Sequence, residues 1–360
     1  MKAAIISLKS QSSQMIAKAM KKYFDEVDSI DLRGIEVNLE SEKIEILNDG
    51  QPFKKYDCVF SRGSFRFAPL LRSISLAVKG VSYTPIKPGA FTIGHDKLLT
   101  HLALRENNIP MPTTYLASGP ESAKSILEKV NYPIIMKLPS GTGGKGVMYA
   151  ESFAAASSVL DTLTTLRQPF IIQEYVETGG VDIRAIVVGG KIVAAMKRKA
   201  VVGEKRSNIH AGGVGEAFLL DQHMKKIALE TAKAIQADVC AVDILESAKG
   251  PVVIEANLSP GLQGITVATG IDVADKVARY LFEKSRIKTE SGKSVATSRI
   301  LEELGIKTEE AQQIITNLQF RANRILLPKI VTDVAKFSEK DELILKIKKG
   351  KLIIEKSGIS

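Results

Sequence analysis

The chain predicts two architectures in series: a small doubly wound α/β unit, followed by α+β segments on antiparallel strands and a basic, β-rich tail. Three observations carry this. Over about residues 1–95, apolar runs alternate with stretches of helical spacing, which implies a parallel sheet covered on both faces. "VDIRAIVVGGKIVAAMKRKA" sets two β-branched runs either side of Gly189-Gly190, a hairpin signature. "VDILESAKGPVVIEAN" repeats the pattern, with a turn expected near Lys249-Gly250-Pro251.

At 360 residues the chain exceeds what one small core organises. Its 44% hydrophobic and 25% charged residues describe an ordinary globular protein. No apolar run approaches the roughly 20 residues of a membrane span. The apolar stretch of "MKAAIISLKSQ" is too short for a signal segment and reads as a first strand. Cys58 and Cys240 sit singly in apolar runs, forming neither a disulfide framework nor a zinc knuckle. A reducing, cytoplasmic setting is therefore expected. The net charge is +10, and residues 321–360 hold ten Lys or Arg against five Asp or Glu, supplying half of it. That balance favours anionic partners, nucleic acid and phosphorylated metabolites among them, or is a solvated lysine-rich surface.

Taken in order, "KAAIISL" reads as a strand and "QMIAKAMKKYFDEV" as a helix. "KYDCVFSRG" is a second strand, "APLLRSISLAVKG" a helix ending at Gly80, and "VSYTPI" a third strand. "GHDKLLTHLALRENNIPMP" predicts a helix stopped by Asn107-Asn108 and Pro110. Across 96–178, "TTYLA", "YPIIMKLP", "GVMYAE" and "PFIIQEYV" suit an antiparallel sheet with helices on one side. Residues 179–285 hold the two hairpins and a helix, "HMKKIALETAKAIQ", with Met224, Ile227, Ala228, Thr231 and Ile235 on one stripe. "SRIKTESGKSV" breaks the rhythm and predicts a linker with short helices over 286–315, leaving 316–360 as the basic module.

"LPSGTGGKGVMY" contains G-x-G-x-x-G at Gly141, Gly143 and Gly146, with Gly144 between them. A dinucleotide fold would start a helix at the third glycine, whereas "GVMYAES" reads as a strand. No Lys-Ser or Lys-Thr closes a Walker loop. What remains is a strand–flap–strand whose N–H groups can fold over phosphates, or a hairpin tip without a ligand. Lys137 lies in a buried strand, where an unpaired ammonium is costly and a phosphate is a natural partner. Lys97 opens a helix and is either a second phosphate ligand or a solvated surface lysine. After "IIQ", Glu174 and the backbone beyond it suit an adenine, and Asp182 suits a ribose hydroxyl or a plain turn position.

In the second hairpin, a five-residue loop sets Asp243 opposite Glu255, with Asn257 on the same face. Like charges across a sheet are destabilising, and burial makes this worse. A divalent cation removes the conflict. The alternative is a polar network with one carboxylate protonated. Mg²⁺ takes one or two carboxylates plus substrate phosphates, so these residues suit one or two ions beside a triphosphate. Arg184, Arg198 and the run Arg206-Ser207-Asn208 add guanidinium groups suited to an acyl phosphate, unless the run is an exposed cationic loop.

With these motifs assembled, residues 90–282 resemble an ATP-grasp enzyme, and most closely a RimK-type α-L-glutamate ligase. "HDKLLT", "MKLPSGTGGKGV", "QEYVETGGVDIRAIVVGGKIVAAMKRKA", "KRSNIHAGG", "AVDIL" and "VIEANLSPGLQGI" occur in that order. The resemblance implies an N-terminal α/β domain ahead of two α+β subdomains that grip ATP. It places Lys97, Lys137, Glu174, Tyr175, Val176, Asp182 and Arg206–Asn208 at nucleotide or intermediate contacts. The metal ligands for Mg²⁺ or Mn²⁺ then fall on Asp243, Glu255 and Asn257. In the first domain only "SRGS" matches, making Arg62 a substrate-site candidate. The tail "ANRILLPKIVTDVAKFSEKDELILKIKKGKLIIEK" resembles an AbrB-like swapped-hairpin module, implying homo-oligomerisation or DNA binding.

The expected activity is ATP- and Mg²⁺-dependent ligation of an amino acid, L-glutamate first, to a carboxylate acceptor. A coenzyme's glutamyl tail, a carrier protein or a ribosomal protein's C-terminus would serve as acceptor. A nucleotide-sensing, DNA-binding regulator is the alternative.

Overall fold

The computed structural model describes residues 1–141, 144–199, 214–303, 319–321, 324–327, 329–338, 341–348 and 351–356. The chain divides into two compact units, Met1–Lys293 and Ser294–Ser360.

Within the first unit, β1 (Lys2–Ser7) is the central strand of a parallel sheet. On one side it pairs with β2 (Glu26–Asp31). The chain then makes a small antiparallel sheet from β3 (Ile35–Leu39), β4 (Ile44–Asn48) and β5 (Gln51–Pro52). It returns to the other side of β1 as β6 (Cys58–Ser61). Ala3 to Ile6 are all buried without alternation, as expected for a parallel strand covered on both faces.

This sheet differs from the sequence expectation in two places. Its third strand is β2, not "VSYTPI", which contributes a single bridge between Tyr83 and Cys58. Pro85 follows two residues later, has no N–H to donate, and cannot extend the pairing. The predicted helix over "QMIAKAMKKYFDEV" also starts earlier and stops sooner: α1 spans Gln11–Met20, with the Ser10 hydroxyl accepting from Ser13 N–H at its start.

Three helices follow, α2 (Ala68–Ala77), α3 (Pro88–Ile93) and α4 (Lys97–Glu106). Asp96 caps α4 by accepting from Leu99 N–H at 2.9 Å. The next sheet is antiparallel, with β7 (Thr114–Tyr115), helix α5 (Pro120–Leu127), β8 (Ile134–Lys137), β9 (Val147–Ala150), helix α6 (Phe153–Thr165) and β10 (Ile171–Glu174), in the order β7-β10-β8-β9. Ala123 and Leu127 of α5 join Ala156, Leu160 and Leu163 of α6 in a core against Ile134, Met136 and Ile172.

The third sheet combines β11 (Val181–Val188), β12 (Lys191–Lys199), β13 (Val214–Ala217), β14 (Val239–Ser247) and β15 (Gly250–Asn257), ordered β13-β12-β11-β14-β15. The β11–β12 turn is the predicted Gly189-Gly190, with φ of 59° and 73°. Such a two-residue hairpin needs positive φ at both positions. Helix α7 (Gln222–Ala234) buries Met224, Ile227, Ala228 and Thr231, with Ile235 just beyond, as its stripe predicted.

After α8 (Gln263–Thr269), α9 (Val273–Glu303) runs through the segment expected to be a linker. Single polar residues there find partners. Ser285 is buried and donates to Leu281 O, Lys288 reaches Ser82 O at 2.7 Å, and Arg286 pairs with Glu290 one turn on.

In the second unit the described residues form β16 (Gln319–Arg321) against β17 (Arg324–Leu326), then α10 (Lys329–Val334), then β18 (Leu343–Lys348) against β19 (Lys351–Lys356). The β18–β19 register sets Ile347 opposite Leu352 and Leu345 opposite Ile354. No helix among the described residues is long and apolar enough to cross a membrane.

Candidate active site

A cleft of about 550 Å³ in the first unit is lined from three of its sheets. That is the size of a pocket for a drug-sized or cofactor-sized ligand.

Its cationic floor begins at β8. Lys137 is 8% exposed, and its ammonium donates to Gln173 Oε1 at 2.5 Å. Burial lowers the Lys137 pKa to about 8, with Lys97 adding to the effect and Glu255 opposing it. Gln173 is itself buried on β10, and its amide nitrogen donates to His101 Nε2 and to Thr114 Oγ1, both at 2.8 Å. His101 Nδ1 lies 2.5 Å from the carbonyl of Lys97 and must carry the ring proton to bond it. Burial takes His101 down to about 4, so the ring is neutral and Nε2 accepts. A four-residue chain thus joins the two candidate lysines through their surroundings. Sequence reading found Lys97 and Lys137 but missed Gln173 and His101, which carry no motif of their own.

The glycine turn lies beside them. Gly141, Gly144 and Gly146 have φ of 151°, 74° and 77°. A Cβ on Gly141 would stand 2.9 Å from the Lys145 carbonyl, so the turn closes only with glycine there. Lys97 ties the turn to α4 twice: its N–H donates to Pro139 O at 2.8 Å, and its ammonium to Gly141 O at 3.3 Å. Gly143 lies outside the described residues. Glu174 at the end of β10 and Tyr175 and Val176 after it line the cleft, and Tyr175 meets Tyr149 edge-on at 5.1 Å.

On the third sheet the register carries the charges. Asp243 pairs with Arg184 on one side and with Glu255 on the other, and Asp182 pairs with Arg198. The expected opposition of Asp243 and Glu255 is therefore present, by a different route. Strand pairing continues to Ser247 and Gly250, leaving a two-residue turn, and a register shift between Asp243 and Ile244 restores the offset. The extra residue is Ile254, a bulge in β15 that the five-residue loop had stood for.

Arginine, not only a cation from outside, relieves this opposition. Arg184 donates Nε and Nη2 to the two Asp243 oxygens at 2.7 and 2.6 Å, and Arg198 Nη2 reaches Asp243 at 3.0 Å. Burial pushes the Asp243 carboxyl up, but the two guanidiniums outweigh it and hold Asp243 below the usual carboxylate range. Arg198 also grips both oxygens of Asp182, the residue expected at a ribose hydroxyl. Arg184 and Arg198, expected on an acyl phosphate, are thus engaged by carboxylates of this sheet. Arg206, Ser207 and Asn208 lie outside the described residues.

Glu255 is different. Burial and Asp243 raise its pKa, against the pull of Lys97, Arg184 and Lys137. Its carboxylate makes no hydrogen bond or ion pair among the described residues, yet it lines the cleft with Asp243 and Asn257. Asn257 Oδ1 accepts from Ser259 N–H at 3.0 Å and keeps a second lone pair. A half-buried carboxylate without a donor, beside a carboxamide oxygen, suits a hard divalent cation. Asp243 fits less freely, since Arg184 already holds both its oxygens.

Arg62, after β6, is 3% exposed and also lines the cleft, on the wall built by the first sheet.

A profile of the RimK-like ATP-grasp domain matches residues 94–281. A probable alpha-L-glutamate ligase of Vibrio cholerae is 37% identical over 296 residues, 80% of this chain and 97% of the relative. Among solved structures, a RimK domain ATP-grasp protein of Sphaerobacter thermophilus superposes with a TM-score of 0.62 at 18% identity, over 78% of this chain and 99% of that one. The ATP-grasp ligase PsnB, complexed with minimal precursor, Mg and ADP, also gives 0.62 at 18% identity, over 79% and 98%.

Proposed function

The chain belongs to the RimK-like ATP-grasp family, and from that premise we propose that it joins an amino acid, L-glutamate, to a carboxylate acceptor at the cost of ATP. One observation carries the reading: Lys97, Lys137 and the glycine turn share a cleft with Asn257 and a Glu255 carboxylate that no described residue pairs. Among the described residues the lining holds five Lys or Arg and four Asp or Glu. That near balance leaves little spare positive charge for a polyphosphate, and Glu255 would repel one. Glu255 and Asn257, with Asp243 in support, would hold Mg²⁺, which would supply the missing charge and screen what develops during phosphoryl transfer.

The residues then divide the work. Lys137 and Lys97 hold phosphate oxygens, Lys137 exchanging Gln173 Oε1 for a stronger anionic partner. The N–H groups of the glycine turn cover the phosphates and exclude water, which an acyl phosphate requires. Glu174, Tyr175 and Val176 hold the adenine. The γ-phosphoryl group leaves the β-phosphate and bonds to a substrate carboxylate oxygen. The amine of glutamate attacks that carbonyl carbon and loses a proton, and phosphate departs with the carboxylate oxygen. Arg206 and Asn208 stabilise the tetrahedral oxyanion, while Arg184 and Arg198, held by Asp243 and Asp182, contribute their positive charge to that wall of the cleft. Support for glutamate comes from the name of the Vibrio relative, and for Mg²⁺ from the PsnB complex.

The second unit is proposed as a dimerising module. Leu343, Leu345, Ile347 and Leu352 share one face of its hairpin, and Ile347 is 75% exposed. A second copy of that face would cover it.

An ADP-release screen tests the activity, pairing each amino acid with a glutamyl coenzyme tail, a carrier protein or a ribosomal protein's C-terminal peptide. ADP release should need both substrates, and the product should gain the mass of one glutamyl group. Salt-dependent binding of duplex DNA without amino-acid-stimulated ADP release would favour the regulator instead.

A further inference from the structure

The wall of the cleft built by the first sheet holds a buried cation, Arg62, that no carboxylate among the described residues pairs. Arg62 follows β6, and the Ser10–Ser13 turn that starts α1 follows β1. The order β2-β1-β6 sends the chain to one side of β1 and then to the other. The gap between the carboxyl ends of β1 and β6 is thus the switch point where open α/β sheets bind ligands.

Arg62 uses two of its three nitrogens. Nε donates to Ser13 Oγ at 3.2 Å and Nη2 to Pro260 O at 2.8 Å, both neutral acceptors. Nη1 is buried and has no hydrogen-bond partner among the described residues. The guanidinium stands 5.5 Å from the Phe60 ring centroid, and no carboxylate among the described residues forms an ion pair with it. Burial without a counter-ion lowers its pKa to about 10. A second buried nitrogen, His95 Nε2, also lacks a partner and lines the same cleft. Buried polar groups are nearly always paired, so two orphans on one cleft point to a ligand.

Fixed placement adds to this. Gly63 N–H donates to Ser259 Oγ at 3.1 Å, and Ser259 N–H donates to Asn257 Oδ1. Arg62 is therefore one short loop from the candidate metal amide, and rigidly placed against it.

We propose that Arg62 Nη1 docks a substrate carboxylate other than the one being activated. The identity of that ligand as a ligase substrate rests on the function proposed above. The reacting carboxylate belongs beside Lys137 and Glu255, where phosphoryl transfer takes place. A second carboxylate is carried either by the incoming amino acid or by an acceptor ending in an acidic residue.

Calorimetric titration of the full chain, with Mg²⁺ and a non-hydrolysable ATP analogue, tests this and separates the two sources. The probes are L-glutamate with its α-amide and its γ-amide, and a short peptide ending in glutamate with the same peptide ending in glutamine, whose side chain lacks the second carboxylate. Wild type should bind at least one acid, and Arg62→Gln should weaken that acid roughly 10- to 100-fold. The matching amide should bind poorly to both proteins, and the acid affected names the source. Arg62→Lys, which keeps the charge but not the fork, should weaken binding less and carries the comparison if Arg62→Gln does not fold. The proposal is overturned if no acid binds wild type or if the variants leave every acid unchanged. A loss of nucleotide affinity alone would overturn it too, by giving Arg62 a phosphate. Failure of wild type to bind nucleotide counts against the ligase reading only, and titrations without nucleotide then decide on Arg62.

Discussion

Replacing Lys137 with methionine should cost the protein its nucleotide without costing it stability. Lys137 is 8% exposed, and burial holds its pKa at about 8 against the ordinary lysine value of 10.5. At 1.4 kcal/mol per tenfold change, keeping it charged at neutral pH costs about 3 kcal/mol. Methionine removes that cost and fills much of the same space. It also strips Gln173 Oε1 of its donor, a loss of about 1–3 kcal/mol. The balance predicts a variant as stable as wild type, or more stable by up to about 2 kcal/mol. With roughly 2–4 °C per kcal/mol for a unit of this size, the midpoint should rise by no more than a few degrees. The pH profile gives a sharper signature. Between about 8 and 10.5 the unfolded chain keeps a proton that folded Lys137 has released, so wild-type stability rises with pH through that window. The variant lacks this gain, and wild type should recover about 3 kcal/mol relative to it. Urea unfolding at pH 7, 8, 9 and 10.5 measures the difference and cancels the other lysines. Parallel curves, or a variant less stable by more than about 1 kcal/mol at pH 7, would refute the reasoning.

Arg184→Met should destabilise the first unit by about 3 kcal/mol, because it leaves Asp243 buried opposite Glu255 with only Arg198 to compensate. In a cycle with Asp243→Asn the coupling should exceed about 1 kcal/mol, and additive losses would mean that the bidentate pair is energetically idle. Gly189→Ala should cost at least about 2 kcal/mol, since φ is 59° and a Cβ there would land on the Tyr280 ring; an unchanged unfolding midpoint would show that the hairpin relaxes. For the second unit, Ile347→Lys should convert a dimer to a monomer by light scattering at equal concentration. A wild-type monomer, or a variant that remains dimeric, would exclude that face.

Sequence pattern revealed most where one residue type satisfies a backbone need. Gly189-Gly190 sits where a two-residue hairpin requires positive φ twice, and the stripe of α7 follows from its burial on one side. The opposition of Asp243 and Glu255 was also legible, because strand period and hairpin symmetry determine it together. The bulge at Ile254 was not, since a bulge and a longer loop give the same offset. Strand β2 was missed because it is an edge strand, with Ile30 its one buried residue and no alternation to read. Arg184 and Arg198 were read as substrate ligands, and their grip on Asp243 and Asp182 depends on how strands 181–188, 191–199 and 239–247 stack in register. The Gln173–His101 chain crosses from β10 to α4, 72 residues apart, and left no local signal.

The central claim is that Glu255 and Asn257 hold a divalent cation on which nucleotide binding depends. The most direct measurement is the affinity of a non-hydrolysable ATP analogue in Mg²⁺ and in EDTA, for wild type and for Glu255→Gln. Wild type should bind at least roughly tenfold more tightly with Mg²⁺, and the folded Glu255→Gln variant should lose that increment. Equal affinity in Mg²⁺ and EDTA for wild type, or a variant that responds to Mg²⁺ as wild type does, would contradict it.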